Sequence, residues 1–256
     1  MKFSEVFKIF TILNFGNKIR FLLFSTATFV FRLTGKRIFE KIKIRFFGIG
    51  YYVHVGLGEI NTIFYTNILQ DYSQLNRFVP SSKAICLDVG ANIGSTSLNW
   101  TKHINGGKIF AIEPHPQTFS MLQENIELNK ADKKILPRQI AISKNDKDIA
   151  LFVSDEGTMA MKPGNYKWKG KEISVPSMSL DSFVRNERID MIDILKIDIE
   201  GYEAEALEGA SKTLKHTKRV VLEYHSAELR MRCRKILEQN GFKIHERGPL
   251  IFSWKS

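Results

Sequence analysis

Cysteine is scarce in this chain. Two thiols, Cys86 and Cys233, occur in 256 residues, far apart and inside apolar patterns. Such spacing offers neither a metal quartet nor a secreted disulfide framework, so the expected compartment is the reducing cytoplasm. Long apolar runs are also missing. The densest, FLLFSTATFVF from Phe21 to Phe31, falls well short of the roughly 20 residues that a spanning helix needs. A secretory signal is disfavoured as well, because the basic stretch ahead of that run is long and no small-x-small cleavage site follows. Internal repeats and low-complexity tracts are absent.

Acidic residues are nearly missing from one end. Between Met1 and Arg45 there are ten lysines and arginines against only Glu5 and Glu40, so this segment carries +8 of the formal +11. The rest is close to balanced and lacks the broad basic surface that a run of phosphates would require, so nucleic acid is not an expected partner. The basic end, rich in Phe, Ile and Leu, has two readings: a helical extension packed on the core, or an amphipathic segment on an anionic membrane surface. The second would make the protein peripheral at the inner membrane surface.

A boundary is expected near Pro80, dividing a basic, mainly helical extension over 1–80 from a domain over 81–256. Beyond it, short buried apolar runs alternate with amphipathic stretches, which is the pattern of an α/β fold with a mostly parallel sheet. Strands are expected at Ala84–Val89, Lys108–Glu113, Leu136–Ile142, Met191–Asp198 and Arg219–His225. Helices are expected after the glycine turn at Gly90, from Pro116, after Asp198 with Leu207, Ala210 and Leu214 along one stripe, and from Ser226 to Asn240. Ile149–Ser154 and Lys171–Ser177 flank a polar excursion. The two last strands, FKIH and LIFSW, lie too close together for a parallel crossover and should pair antiparallel.

The glycines of DVGANIG, Gly90 and Gly94, free the backbone to turn sharply and approach a ligand at the first strand's C-terminal end. Glu113 lies 19 residues after Gly94, near the ~20-residue offset at which a carboxylate meets ribose hydroxyls. An adenosine-bearing cofactor is therefore expected. A dinucleotide is disfavoured, because the G-x-G-x-x-G spacing is absent and Asp88 would repel a pyrophosphate while suiting the ammonium of an amino-acid moiety.

Five separated motifs in order, CLDVGANIG, FAIEPHPQTF, the SLD of Ser179–Asp181, LKIDIEGYEAEALEGA and VVLEYH, resemble the FkbM-type class I S-adenosylmethionine-dependent methyltransferases. That resemblance covers about 79–225. It implies a Rossmann-like sheet with a closing antiparallel strand, and S-adenosylmethionine as cofactor. Asp88, Gly90, Asn92 and Gly94 would then line its methionine and ribose end, Glu113 would take the ribose hydroxyls, and Ala141 and Ile142 would lie beside adenine. The implied activity is O-methylation of a sugar, glycan, lipid or small metabolite. RNA or protein methylation, and a non-catalytic membrane-associated module, are the alternatives. The Asn/Asp-Pro-Pro-aromatic turn of amino-methylating nucleobase enzymes is replaced here by IDIEG, and neither cysteine is placed for cytosine C5 chemistry.

Asp198, Glu200, Glu223 and His225 map to the C-terminal ends of neighbouring strands. Acids at a helix start also suit the backbone dipole, and His225 immediately precedes a helix cap. Methyl transfer to a hydroxyl needs an in-line approach and a proton acceptor. His225 or Asp198 is the candidate base, with Glu200 and Glu223 as orienting groups; no metal is assigned, a divalent cation held by these oxygens being the lesser reading.

Overall fold

Leu87 and Cys86 are adjacent in sequence, yet both are fully buried, as are Leu195 and Ile194. A strand covered on both faces cannot alternate apolar with polar, so these segments read as continuous apolar runs. The computed structural model describes residues 41–54, 71–154, 159–160 and 170–255, together with Thr26, Thr34, Ile63 and Thr66 as single positions. Most of the basic apolar segment expected over 1–40, and most of the excursion after Ser154, lie outside these described residues. Among the described residues no helix is long and apolar enough to cross a membrane.

The main sheet has seven strands. β3 (Ile85–Val89), β4 (Lys108–Ile112) and β5 (Ile135–Arg138) step outward to one edge, while β11 (Ile194–Ile197) and β12 (Arg219–Glu223) step the other way. All of these pair in parallel. β14 (Leu250–Trp254) then inserts antiparallel between β12 and the edge strand β13 (Lys243–Arg247), as the short connection between the last two strands requires. The order in which strands are added reverses between β3 and β11, which makes their C-terminal ends the switch point where open sheets of this kind hold ligands.

Among the described residues five helices cover the sheet: α1 (Ser95–Trp100), α2 (Pro116–Leu128), α3 (Leu180–Asn186), α4 (Glu203–Glu208) and α5 (Ala227–Gln239). Their starts are chemically marked. Pro116 opens α2 behind an N-cap His115, and the side chains of Ser179 and Ser226 accept the Ser182 and Leu229 N–H groups at the starts of α3 and α5. Apolar side chains pack in two layers. Cys86, Trp100, Ile109, Ile194, Val221 and Phe252 lie on one face; Leu87, Leu195, Leu207, Val220, Cys233 and Leu237 lie on the other. Each such side chain contributes about 1.5–3 kcal/mol on burial.

Two local readings differ from the structure, and a third, the pair of strands flanking the excursion, is present as expected. The single strand expected over Leu136–Ile142 is two: β5 stays at the sheet edge, where the missing N–H of Pro137 is tolerated, and β6 (Ala141–Ser143) leaves to pair in parallel with β10 (Ser177–Ser179). The strands flanking the excursion, β7 (Ile149–Ser154) and β9 (Gly170–Val175), pair antiparallel with each other, and the short β8 (Met159–Ala160) joins β7. The stripe after Asp198 is buried as expected, but α4 ends at Glu208, and Leu214 belongs to a separate 3-10 turn.

The stretch read as mainly helical contains a β-hairpin, β1 (Lys41–Phe46) with β2 (Ile49–His54). Ile44, Phe46, Tyr51 and Val53 alternate inward, and they join the same apolar layer as Trp100 and Phe252. Its Phe47–Gly48 turn has positive φ at both residues, as tight hairpins favour. Two asparagines of α2 and its C-terminus fasten it. Asn125 Oδ1 accepts the Tyr52 N–H at 2.6 Å, and its Nδ2 donates to the carbonyls of Tyr52 and Ile93. Asn129 makes the matching pair with Gly50 at 2.8 and 2.7 Å. Asn125→Ala strands three such backbone groups, so it is expected to lower stability by on the order of 3 kcal/mol in urea unfolding; a loss below about 1 kcal/mol would mean the hairpin does not depend on this clamp.

Candidate active site

The glycine turn expected at the cofactor begins where β3 ends. Gly90 has φ +77, and a Cβ there would stand 1.8 Å from the Asp198 carbonyl oxygen; β3 and β11 can approach this closely only over a glycine. Gly94, at φ +90, starts α1 against Leu122. Asn92 also has positive φ, at 51°, and its side-chain oxygen accepts the N–H of Ile93 at 2.7 Å, a local bond that lets Asn tolerate this conformation.

Glu113, directly after β4, is buried, and its two oxygens accept the N–H groups of Asn92 (2.9 Å) and His115 (3.0 Å). Burial pushes its carboxyl up to about 7 despite these bonds. Each oxygen retains a lone pair for a ribose hydroxyl. Ala141 and Ile142 are buried in β6, three residues beyond Arg138, whose carbonyl accepts the Glu113 N–H. Asp88 is placed differently from a cofactor-facing acid. It is wholly enclosed, 3.1 Å from the Lys196 ammonium, and it accepts the Ser97 hydroxyl at 2.6 Å.

Lys196 was not singled out from the sequence. Its Nζ donates to the Gly90 carbonyl at 2.7 Å and lies 3.7 Å from Asp198. Burial by itself would lower its pKa, but Asp88 and Asp198 outweigh burial and raise it. The available signal was a lysine inside an otherwise apolar strand, since a buried lysine needs a partner. The SLD motif turns out to hold the frame: Ser179 caps α3, and Asp181 accepts the N–H groups of Lys212 and Thr213 ahead of β12.

Asp198, Glu200 and His225 do meet. His225 Nε2 is 3.8 Å from Asp198 Oδ1 and 3.4 Å from Glu200 Oε2, while Nδ1 is 3.0 Å from the buried Glu203. Glu203 also accepts the N–H groups of Gly201 and Ile199, so it is fixed, and the hydrogen-bond network puts an N–H on His225 Nδ1. Burial opposes charge on His225, yet Glu203, Glu200 and Asp198 together lift its pKa to about 9. Glu200 is pushed up to about 7, by burial first and then by Asp198, and it sits at φ +52, a strained conformation of the kind found at functional sites. Glu223 faces the same space through Tyr72, whose hydroxyl lies 2.8 Å from Asp198 and 2.9 Å from Glu223. Glu203 and Tyr72 were likewise not anticipated. The ligand atoms of Asp198, Glu200 and His225 lie within 4.8 Å of one another, but the protonated imidazole and Lys196 already answer these acids, and no metal is assigned.

A glycine turn at the switch point, an acid closing the second strand and an antiparallel last strand pair define a class I Rossmann-like methyltransferase sheet. The chain belongs to the FkbM methyltransferase family, whose domain model matches residues 88–244, and its cofactor is S-adenosylmethionine. Hexuronic acid methyltransferase AglP of Haloferax volcanii is 29% identical over 140 residues, which cover 54% of this chain and 55% of the relative. This chain thus spans about half the length of that relative. The 2-O-methyltransferase NoeI of Sinorhizobium fredii is 25% identical over 179 residues, covering 64% of this chain and 72% of NoeI. Among solved structures, precorrin-6y C5,15-methyltransferase from Geobacter metallireducens aligns with a TM-score of 0.46 at 14% identity, over 71% of this chain and 85% of that one.

The residues present fit the cofactor: the Gly90–Gly94 turn lies at the C-terminal end of β3, at the switch point, and each Glu113 carboxylate oxygen keeps a lone pair beside it. Ribose hydroxyls bond best to the ionised carboxylate. With the Glu113 pKa at about 7, affinity for S-adenosylmethionine is expected to fall about tenfold from pH 8 to pH 6. Calorimetry checks this. Glu113→Gln should bind weakly at both pH values, and an unchanged wild-type affinity across the range would remove Glu113 from the ribose site.

Proposed function

We propose that this chain methylates a hydroxyl of a sugar or glycan. The observation that carries this reading is the cluster of Asp198, Glu200 and His225 at the switch point, where β3 and β11 meet beside the cofactor turn. S-adenosylmethionine supplies an electrophilic methyl group on a sulfonium. The Gly90–Gly94 turn and Glu113 would hold it so that its methyl could pass to the acceptor oxygen, the leaving electron pair staying with sulfur, and Asp198 would take the hydroxyl proton. His225 holds a proton of its own at neutral pH, so it acts as the cation that offsets charge growing on the acceptor oxygen, while Glu203 fixes its ring. The two relatives named for a hexuronic acid and for 2-O-methylation support a sugar hydroxyl over a nucleobase or a protein side chain.

The test is transfer of labelled methyl to hexuronic acids, neutral glycans and glycolipids. At least one sugar class should accept label, and Asp198→Asn should lose about 10²–10⁴ in turnover while keeping wild-type affinity for the cofactor. Labelling of RNA or protein alone would overturn the reading.

The +8 charge of Met1–Arg45 supports one further part of the proposal, docking on an anionic membrane surface. Binding to vesicles containing phosphatidylserine should weaken as salt shortens the screening length below about 10 Å and disappear when residues 1–40 are removed. Equal sedimentation of both proteins would leave the segment without that role.

A further inference from the structure

Tyr72 sits in a single 3-10 turn, Asp71–Ser73, ahead of the stretch that the family model matches. Its ring is buried, and its hydroxyl meets two carboxylates that come from different strand ends, Asp198 Oδ2 at 2.8 Å and Glu223 Oε2 at 2.9 Å. A phenol has one proton. It can donate to one of these oxygens, and the second contact is a hydrogen bond only if the other carboxyl brings a proton of its own. Two ionised carboxylates would set the phenol oxygen against an unbridged anion in a buried space, where an unmet polar contact is costly.

The surroundings decide which acid is protonated. The Lys196 ammonium lies 3.7 Å from Asp198 and over the Tyr72 ring, 5.2 Å from its centroid, and His225 Nε2 lies 3.8 Å from the other Asp198 oxygen. Asp198 therefore has a cation on each side. Glu223 has its short contact with Tyr72, and the acids Asp198 and Glu200 are among its neighbours; His225 and Lys196 act on it as well, but from farther than the 3.8 and 3.7 Å at which they meet Asp198. Asp88 takes up part of the Lys196 charge.

We infer that Tyr72 is a positioning residue that accepts a hydrogen bond from protonated Glu223 and donates its own to Asp198, leaving Asp198 as the anion of this pair toward the acceptor. The inference rests on the proposed function for the role of Asp198, but the arrangement itself does not. Burial first, and then the Asp198 charge, raise the Glu223 pKa, while a phenol that donated to Glu223 would lower it; burial with both carboxylates keeps the phenol protonated.

The experiment uses the full chain with glutamate labelled by ¹³C at the side-chain carboxyl, titrated by NMR, with the Glu223 signal identified by its loss in Glu223→Gln. Wild-type Glu223 should titrate well above the ordinary value of about 4.3. Tyr72→Phe removes the oxygen that stabilises the protonated form, so the midpoint should fall by about half a unit or more. A rise would show the phenol donating to an ionised Glu223, and an unchanged midpoint would reduce the contact to packing; either result overturns the inference, as does an ordinary wild-type titration.

If Tyr72→Phe does not fold, the pH dependence of urea stability replaces it. A carboxyl with a raised folded pKa gives stability that is complete below its unfolded pKa and is lost as pH rises through the folded one. Glutamine supplies the hydrogen at every pH. Glu223→Gln should therefore decline less than wild type between pH 5 and pH 8, and parallel declines would overturn the inference. No acceptor enters either measurement, so failure of the methylation assay and failure here are separate results.

Discussion

The Lys196 ammonium, buried between two strands, constrains everything around it. A charge in that position demands answering groups, and each group it draws in fixes a piece of the site. Asp88 neutralises it from β3, the Gly90 carbonyl accepts its hydrogen and holds the cofactor turn, and Asp198 comes under its field from the end of β11. The two strands can lie close enough for this only because Gly90 has no side chain. Removing one partner of such a buried pair typically costs 3–5 kcal/mol, so cofactor turn and acid cluster are held by the same interaction.

Much of the sheet was readable from local pattern because strands covered on both faces leave continuous apolar runs, and because Gly90, Pro116, Ser226 and Gly241 punctuate them chemically. The splitting of 136–142 was not readable. Both halves are apolar, and whether Ala141 continues along β4 or turns to meet Ser177 depends on a partner more than thirty residues later. The hairpin at 41–54 was hidden by its basic residues, which masked the inward alternation of Ile44, Phe46, Tyr51 and Val53.

Within the site, Gly90, Gly94 and Glu113 could be named because backbone turns and strand-end acids have fixed offsets. Asp198, Glu200 and His225 could be named because strand ends converge at a switch point. Glu203 escaped notice since an acid in the first turn of a helix has an ordinary electrostatic explanation, and only its contact with His225 Nδ1 gives it another role. Tyr72 had no local signal at all, lying 126 residues from Asp198 in sequence. Asp88 shows the converse: the motif marks its position, while its partner is a lysine of the same sheet.

The strand order carries a consequence for how the chain acquires its shape. β3 pairs with β11 across more than a hundred intervening residues, whereas β12, α5, β13 and β14 follow one another closely. Contacts between distant segments close loops at an entropic cost and form slowly, so the C-terminal strand group is placed to assemble early and the central seam late. Gly90 and Asp198 meet only across that seam. A ligand held at that turn would favour the closed seam and by mass action draw the population toward it.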